Sequence, residues 1–277
     1  MKHFTRPTVG IAVVTIAAVT ALTGCAVGAG AAPAAEPAAT SIDASKPTIV
    51  MVHGAWSDAS PFDAVGAQLR EDGYRVVNFA NPLRDLSSDT AYLESFLDTR
   101  TTGPVVLVGH SYGGAVVSGA ASADADVKAL VYLNAFVPEA GETILDLASH
   151  AGPVDADALF DMEPFPGEHN VDLYLKAEPF AGGFTNGLTA QQNAEYFAKQ
   201  RPITYAALSE PAGEQASLDL PSWYVAGTED HSIDIETQRW MAERAGSTLL
   251  EVKSSHLSMV ALPDAVTGVI KKAAAAK

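Results

Sequence analysis

Along this chain, short runs of apolar residues alternate with stretches whose apolar residues recur every three or four positions. Thr48–Val52, Tyr74–Phe79, Val105–Val108, Ala129–Leu133, Trp223–Ala226 and Thr248–Val252 are nearly continuous apolar runs rich in Val and Leu. Runs of that length and composition predict parallel strands buried on both faces. Between them, Phe62–Glu71 reads as a helix with Gly73 as its C-terminal stop, and Ala115–Ala121 as a helix of small residues. Ser88–Asp98 reads as a helix that buries Tyr92, Leu93, Phe96 and Leu97. Strands alternating with helices predict an α/β domain, a sheet of about six mostly parallel strands with helices on both faces. No internal repeat is visible.

Between Phe136 and Pro221 the alternation lapses. This stretch carries Phe160, Phe165, Tyr174, Phe180, Phe184, Tyr196, Phe197 and Tyr205 among prolines and glycines. It reads as an insertion, spanning about 137–221, that caps the sheet. More than half of its aromatics should simply hold the insertion together, and the others would wall an apolar pocket; Trp56 is a further candidate for that wall and equally a packing residue.

The sharpest chemical signal lies where the third strand turns. Gly109-His-Ser-Tyr-Gly113 matches G-x-S-x-G between a strand and a helix, a turn that strains the serine backbone and lifts its Oγ above the sheet edge. The next N–H, that of Tyr112, falls at a helix N-terminus and can stabilise an oxyanion. Ser111 is therefore the expected nucleophile.

Downstream stand an acid and a base, each just past a strand end. Asp230 follows Trp223–Ala226 and His256 follows Thr248–Val252, so the chain order is nucleophile, acid, base. His256 would take the serine proton and return it to the leaving group, while Asp230 would orient the imidazole. Asp234 is the next candidate acid, although it and Glu236 suit the start of the following helix, where carboxylates meet the positive dipole end. Glu229 should point away. Asn134, at another position where an acid could stand, carries no charge. Early in the chain, His53-Gly54-Ala55-Trp56 follows the first strand, and its loop can turn the Ala55 N–H toward the same oxygen. His53 and His110 read as buried structural histidines. His150, His169 and His231 have no ligand-like spacing, so neither a metal nor a cofactor is expected.

From about Pro47 to Lys272 the chain resembles the α/β-hydrolases, close to a bacterial esterase-like group. The segments HGAWSDAS, VVNFANPLR, GPVVLVGHSYGGAV, VKALVYLNAFVPEAGET, VAGTEDHSI and SSHLSMV carry the resemblance. It is more distantly similar to plant methylesterases and hydroxynitrile lyases. The resemblance implies the α/β-hydrolase fold, a Ser111–Asp230–His256 triad, and oxyanion N–H groups from Ala55 and Tyr112. Hydroxynitrile lyases of this shape use a threonine in the first loop and a lysine just after the histidine. Gly54 and Leu257 stand at those positions here, which argues against lyase chemistry. The expected activity is cleavage of small, apolar carboxylic esters through an acyl-enzyme. Amide, lactone or thioester hydrolysis with the same residues stays open, as do a ligand-binding protein and a cofactor-free lyase or oxygenase.

The N-terminus is of a different kind. Met1–Arg6 is basic, Thr8–Leu22 is mostly apolar, and Leu22-Thr-Gly-Cys25 contains the one cysteine of the chain. The apolar run is shorter than the roughly 20 residues of a spanning helix, so residues 1–24 read as an export signal. Leu-Thr-Gly-Cys resembles the bacterial lipoprotein box, which implies lipid on Cys25 and attachment outside the cytoplasmic membrane. The alternative is plain secretion. Residues 25–46, rich in Ala, Pro and Ser, read as a flexible tether to one domain over 47–277. The net charge of −16 speaks against nucleic acid and anionic membrane surfaces as partners, leaving a small-molecule ester as the expected partner.

Overall fold

A computed structural model describes residues 41–167, 170–216 and 218–277. Cys25, the expected signal over 1–24, most of the tether and His169 lie outside the described residues.

The strands are β1 Thr48–Val52, β2 Val76–Phe79, β3 Val105–His110, β4 Val127–Leu133, β5 Phe160–Pro164, β6 Val171–Leu175, β7 Ile203–Thr204, β8 Ser222–Gly227 and β9 Thr248–Val252. Six of them form one sheet in the order β2-β1-β3-β4-β8-β9, and every pairing in it is parallel. The six predicted strands are these six, with one shortened. Tyr74 and Arg75 precede β2 because Gly73, at φ 82°, turns the chain and the Tyr74 N–H closes on Leu69.

The helices are α1 Asp63–Glu71, α2 Leu86–Arg100, α3 Gly113–Ala123, α4 Ile144–Ala148, α5 Ala156–Leu159, α6 Ala177–Pro179, α7 Ala190–Ala198, α8 Tyr205–Ser209, α9 Ile235–Arg244, α10 Ser258–Ala261 and α11 Pro263–Ala274. Every residue of β1 and β3 is buried, so both faces of the sheet centre are covered. One layer is α2 with α3, and the other is α1, α10 and α11. Helix α2 starts at the Asp85 side chain, which accepts from the Ser88 N–H. Leu93 and Leu97 are buried as expected and Phe96 is half-buried. Tyr92 is a correction: it is 55% exposed, because its ring packs from outside against Phe79, centroids 5.4 Å apart, with its other face open to solvent.

Between β4 and β8 lies the insertion. Its regular part is a three-stranded antiparallel sheet, β5-β6-β7, flanked by α4 to α8. Two capping boxes, Thr143 with Asp146 and Thr189 with Gln192, start α4 and α7.

Candidate active site

Ser111 stands between β3 and α3 with φ at 52°, a left-handed conformation that a serine adopts only where its surroundings hold it. Its N–H donates to the Leu133 carbonyl, and its own carbonyl accepts from the Gly114 and Phe136 N–H groups. The turn is too tight for side chains on either side. A Cβ on Gly109 would lie 2.6 Å from the Gly113 carbonyl oxygen, and one on Gly113 would lie 2.5 Å from that of Val52. This is the physical reason for the G-x-S-x-G spacing.

The structure brings Asp230 and His256 together. His256 Nδ1 donates to Asp230 Oδ2 at 2.8 Å, and both side chains are buried. A carboxylate can only accept, so the proton sits on Nδ1 and leaves Nε2 with a lone pair. Asp230 Oδ2 also accepts from Asn134 Nδ2 at 3.0 Å and Gln238 Nε2 at 3.1 Å. Asp230 Oδ1 accepts the Ser232 and Ile233 N–H groups at 2.8 and 3.1 Å. Five donors converge on one carboxylate, which fixes its orientation. Sequence reasoning missed Gln238, whose position in α9 carries no local signal. It placed Asn134 where an acid could stand, and the structure makes it a donor to Asp230.

The competing carboxylates go elsewhere. Asp234 caps α9, accepting the Glu236 and Thr237 N–H groups. Glu229 faces outward and pairs with Lys253 at 3.4 Å.

The loop after β1 approaches Ser111 closely. A Cβ on Gly54 would lie 2.6 Å from Ser111 Cβ and 2.8 Å from the His110 carbonyl oxygen, so only glycine fits. His53 shapes this loop. Its Nε2 accepts the Asn81 N–H at 3.1 Å, which puts the proton on Nδ1, and that proton is donated to the Gly54 carbonyl at 2.9 Å. The Gly54 carbonyl and the Ala55 N–H share one trans peptide and point in opposite directions. Holding the carbonyl on His53 therefore turns the Ala55 N–H to the other side. Burial pushes the His53 pKa down to about 4, so the ring stays a neutral brace.

On the other side of Ser111, the Tyr112 hydroxyl donates to Asp89 Oδ2 at 2.9 Å. Asp89 is fully buried and also accepts the Arg84 N–H. Among the described residues, neither the Ala55 nor the Tyr112 N–H donates to another protein group. His110 is buried beneath the site, its Nε2 donating to the His256 carbonyl at 3.2 Å and its ring 4.8 Å from that of His256. Burial holds it well below the usual histidine range, hence neutral.

Ser111 and His256 share the wall of a cavity of about 330 Å³, otherwise lined mainly by apolar groups such as Phe136, Ile144, Phe160 and Leu175. Trp56 both lines it and packs, stacked on Phe160 at 5.2 Å, with its Nε1–H donated to the Leu173 carbonyl. Of the insertion aromatics, Phe160 faces this cavity. Phe180 and Phe184 are buried against one another, with the Phe184 ring 5.1 Å from His256. His231, to which spacing assigns no role, stands in the cavity wall with Nδ1 on the Gly182 carbonyl. Among the described residues no group of three His, Cys, Asp or Glu side chains could hold a metal ion.

Residues 49–269 match the alpha/beta hydrolase family, and that span takes in the elbow, the Asp230 turn and His256. The chain belongs to the alpha/beta hydrolase family. Among relatives of this hydrolase is a carbendazim hydrolyzing esterase from Nocardioides sp. (strain SG-4G), 36% identical over 123 residues, 40% of this chain and 51% of that one. The alignment thus spans about half of that relative's length. Methylesterase 8 of Arabidopsis thaliana is 25% identical over 240 residues, 79% of this chain and 86% of the other. Among solved structures, polyneuridine aldehyde esterase superposes with a TM-score of 0.70 at 20% identity, covering 82% of this chain and 98% of that one. That likeness establishes the shared fold.

Proposed function

We propose that this alpha/beta hydrolase cleaves apolar carboxylic esters through an acyl-enzyme on Ser111. His256 Nε2 takes the Ser111 proton as Oγ attacks the ester carbonyl. Asp230 holds the imidazole and stabilises the imidazolium. The Ala55 and Tyr112 N–H groups receive the oxyanion. As the tetrahedral adduct collapses, His256 gives its proton to the departing alcohol. Water, activated by the same imidazole, then attacks the acyl-enzyme and releases the acid and the free serine. The observation that carries the reading is the Asp230–His256 hydrogen bond of 2.8 Å beside a cavity that also holds a strained Ser111. The carbendazim hydrolyzing esterase and the methylesterase among its relatives support an ester as the substrate.

The test is a chromogenic short-chain ester together with a fluorophosphonate probe. The wild type should release a burst of alcohol and be labelled at Ser111. Ser111→Ala should lose turnover by on the order of 10⁶-fold and take no label. Label on another residue, or turnover that survives the substitution, would overturn the assignment. Negligible turnover by the wild type would point to a ligand-binding protein instead. We also propose, from the sequence around Cys25 alone, lipid attachment at that residue. Intact mass of the mature chain tests it: an N-terminus without diacylglycerol on Cys25 would reduce the segment to a secretion signal.

A further inference from the structure

One face of the insertion sheet carries apolar side chains from the serine cavity outward. The antiparallel register sets Phe160 beside Leu175, Met162 beside Leu173 and Pro164 beside Val171. Side chains two apart share a face, so these six lie on the same side of the sheet. Phe160 and Leu175 line the cavity that holds Ser111 and His256. Met162, Leu173 and Val171 line a second cavity, of about 420 Å³. Leu145, Val154, Phe160 and Leu208 belong to both walls and form the partition between the two. Among the described residues no aspartate, glutamate, lysine or arginine lines either one, and the second offers only Ser149 and Tyr205 as polar side chains. At its outer end Met162 and Tyr205 are 45% and 52% exposed. Large apolar side chains gathered at the mouth of an apolar cavity mark a binding surface more than a packing need.

We propose that the second cavity is the outer half of the substrate site. It takes the far end of a long, uncharged hydrocarbon arm whose ester carboxyl lies at Ser111. The proposal rests on the ester-cleaving reading of the inner cavity. Phe160, held by its stack on Trp56, is the partition over which the arm passes. Met162 stands two residues farther along β5, roughly 7 Å at strand rise. An ester whose arm ends at Phe160 uses the inner cavity alone, and a longer one gains the outer cavity as well. The preference is therefore for esters with an extended apolar arm over acetates, and it is expressed mainly in KM.

The experiment compares p-nitrophenyl acetate, butyrate, octanoate and dodecanoate on the full chain. In the wild type, kcat/KM should rise beyond butyrate by on the order of threefold for each methylene that leaves water. Met162→Glu places a charge in the outer cavity, and Ala156→Trp, at the first residue of α5, fills it with a ring. Both positions are exposed, so the fold tolerates the changes. In each variant the octanoate-to-acetate ratio of kcat/KM should fall by about tenfold or more. A ratio unchanged in both variants, or no wild-type gain beyond butyrate, overturns the proposal while Ser111-dependent acetate hydrolysis keeps the ester reading intact. Ester turnover that survives Ser111→Ala removes that reading, and the outer site falls with it. A wild-type dimer that Met162→Glu converts to monomer in sedimentation would assign the patch to a second copy of the chain and overturn the proposal.

Discussion

Asn134 donates its side-chain N–H to Asp230 Oδ2 at 3.0 Å, the same oxygen that accepts the hydrogen bond from His256 Nδ1. Asn134 sits at the end of β4 with φ at 46°, so the backbone is bent to deliver this amide. An amide there adds a donor to the carboxylate without adding charge. A second carboxylate in its place would repel Asp230 and leave the pair sharing a proton. Asn134→Ala should lower kcat by about tenfold, the cost of one hydrogen bond to a charged group. Asn134→Asp should in addition move the acid limb of the kcat/KM profile upward. An unaltered profile in Asn134→Asp would show that this contact does not act on Asp230.

The two candidate acids separate cleanly. Asp230→Asn should reduce kcat by about 10⁴-fold, through the wrong imidazole tautomer and loss of the charge. Asp234→Ala should leave kcat within a few-fold and cost about 1 kcal/mol of stability, because the side chain caps α9. Turnover and thermal melting of the two variants decide between them, and the reverse ranking would place the acid at Asp234.

Gly54→Ala tests the approach of the first loop to Ser111. The added methyl would lie 2.6 Å from Ser111 Cβ and 2.8 Å from the His110 carbonyl oxygen, neither of which is a flexible side-chain tip. The elbow or the Ala55 N–H must move. A displacement on the order of 1 Å in such a site costs about 100-fold in kcat. The rate of fluorophosphonate labelling should fall with it, and wild-type rates in both assays would mean that the loop yields without disturbing Ser111.

Much of this architecture was legible in the chain because the sheet is parallel. Strands such as Val105–His110 are buried at every position, and continuous apolar runs survive even in a single sequence. The elbow was legible for a steric reason, since the close contacts at Gly109 and Gly113 dictate residue types at set spacings. The insertion sheet was not legible, although Phe160 and Met162, then Val171, Leu173 and Leu175, do alternate with polar residues. Five-residue stretches of that pattern are too short to stand out, and their pairing becomes evident only in the antiparallel register. Gln238 and Asp89 were invisible for another reason. Each is a polar residue on a helix that also carries exposed polar residues, and burial against Asp230 or Tyr112 is a tertiary fact.

The Asp89–Tyr112 pair makes a prediction about pH. Burial pushes the Asp89 carboxyl up to about 6 from 3.8, against the pull of its bonds from Tyr112 and the Arg84 N–H. Between those values the native state holds more protons on Asp89 than the unfolded chain does. Its contribution to stability is therefore fully present below about 3.8 and is lost as pH rises through about 6. His53 runs the other way. Its folded value of about 4 lies below the 6.5 of the free group, so its contribution is present above 6.5 and is lost as pH falls through about 4. In the wild type the two slopes oppose each other across the same window. Asp89→Asn removes one of them and keeps an acceptor for the Tyr112 hydroxyl. The variant's stability relative to wild type should therefore improve on going from about pH 4.5 to about pH 7.5. The gain should be roughly 2 kcal/mol, since a tenfold change in proton affinity corresponds to about 1.4 kcal/mol. Its own stability should fall more steeply on acidification, because the His53 slope is no longer offset. Urea unfolding of both proteins across this range measures the difference directly. A constant difference at every pH would mean that Asp89 is ionised alike in the folded and unfolded chains, and that its burial beneath Tyr112 carries no electrostatic cost.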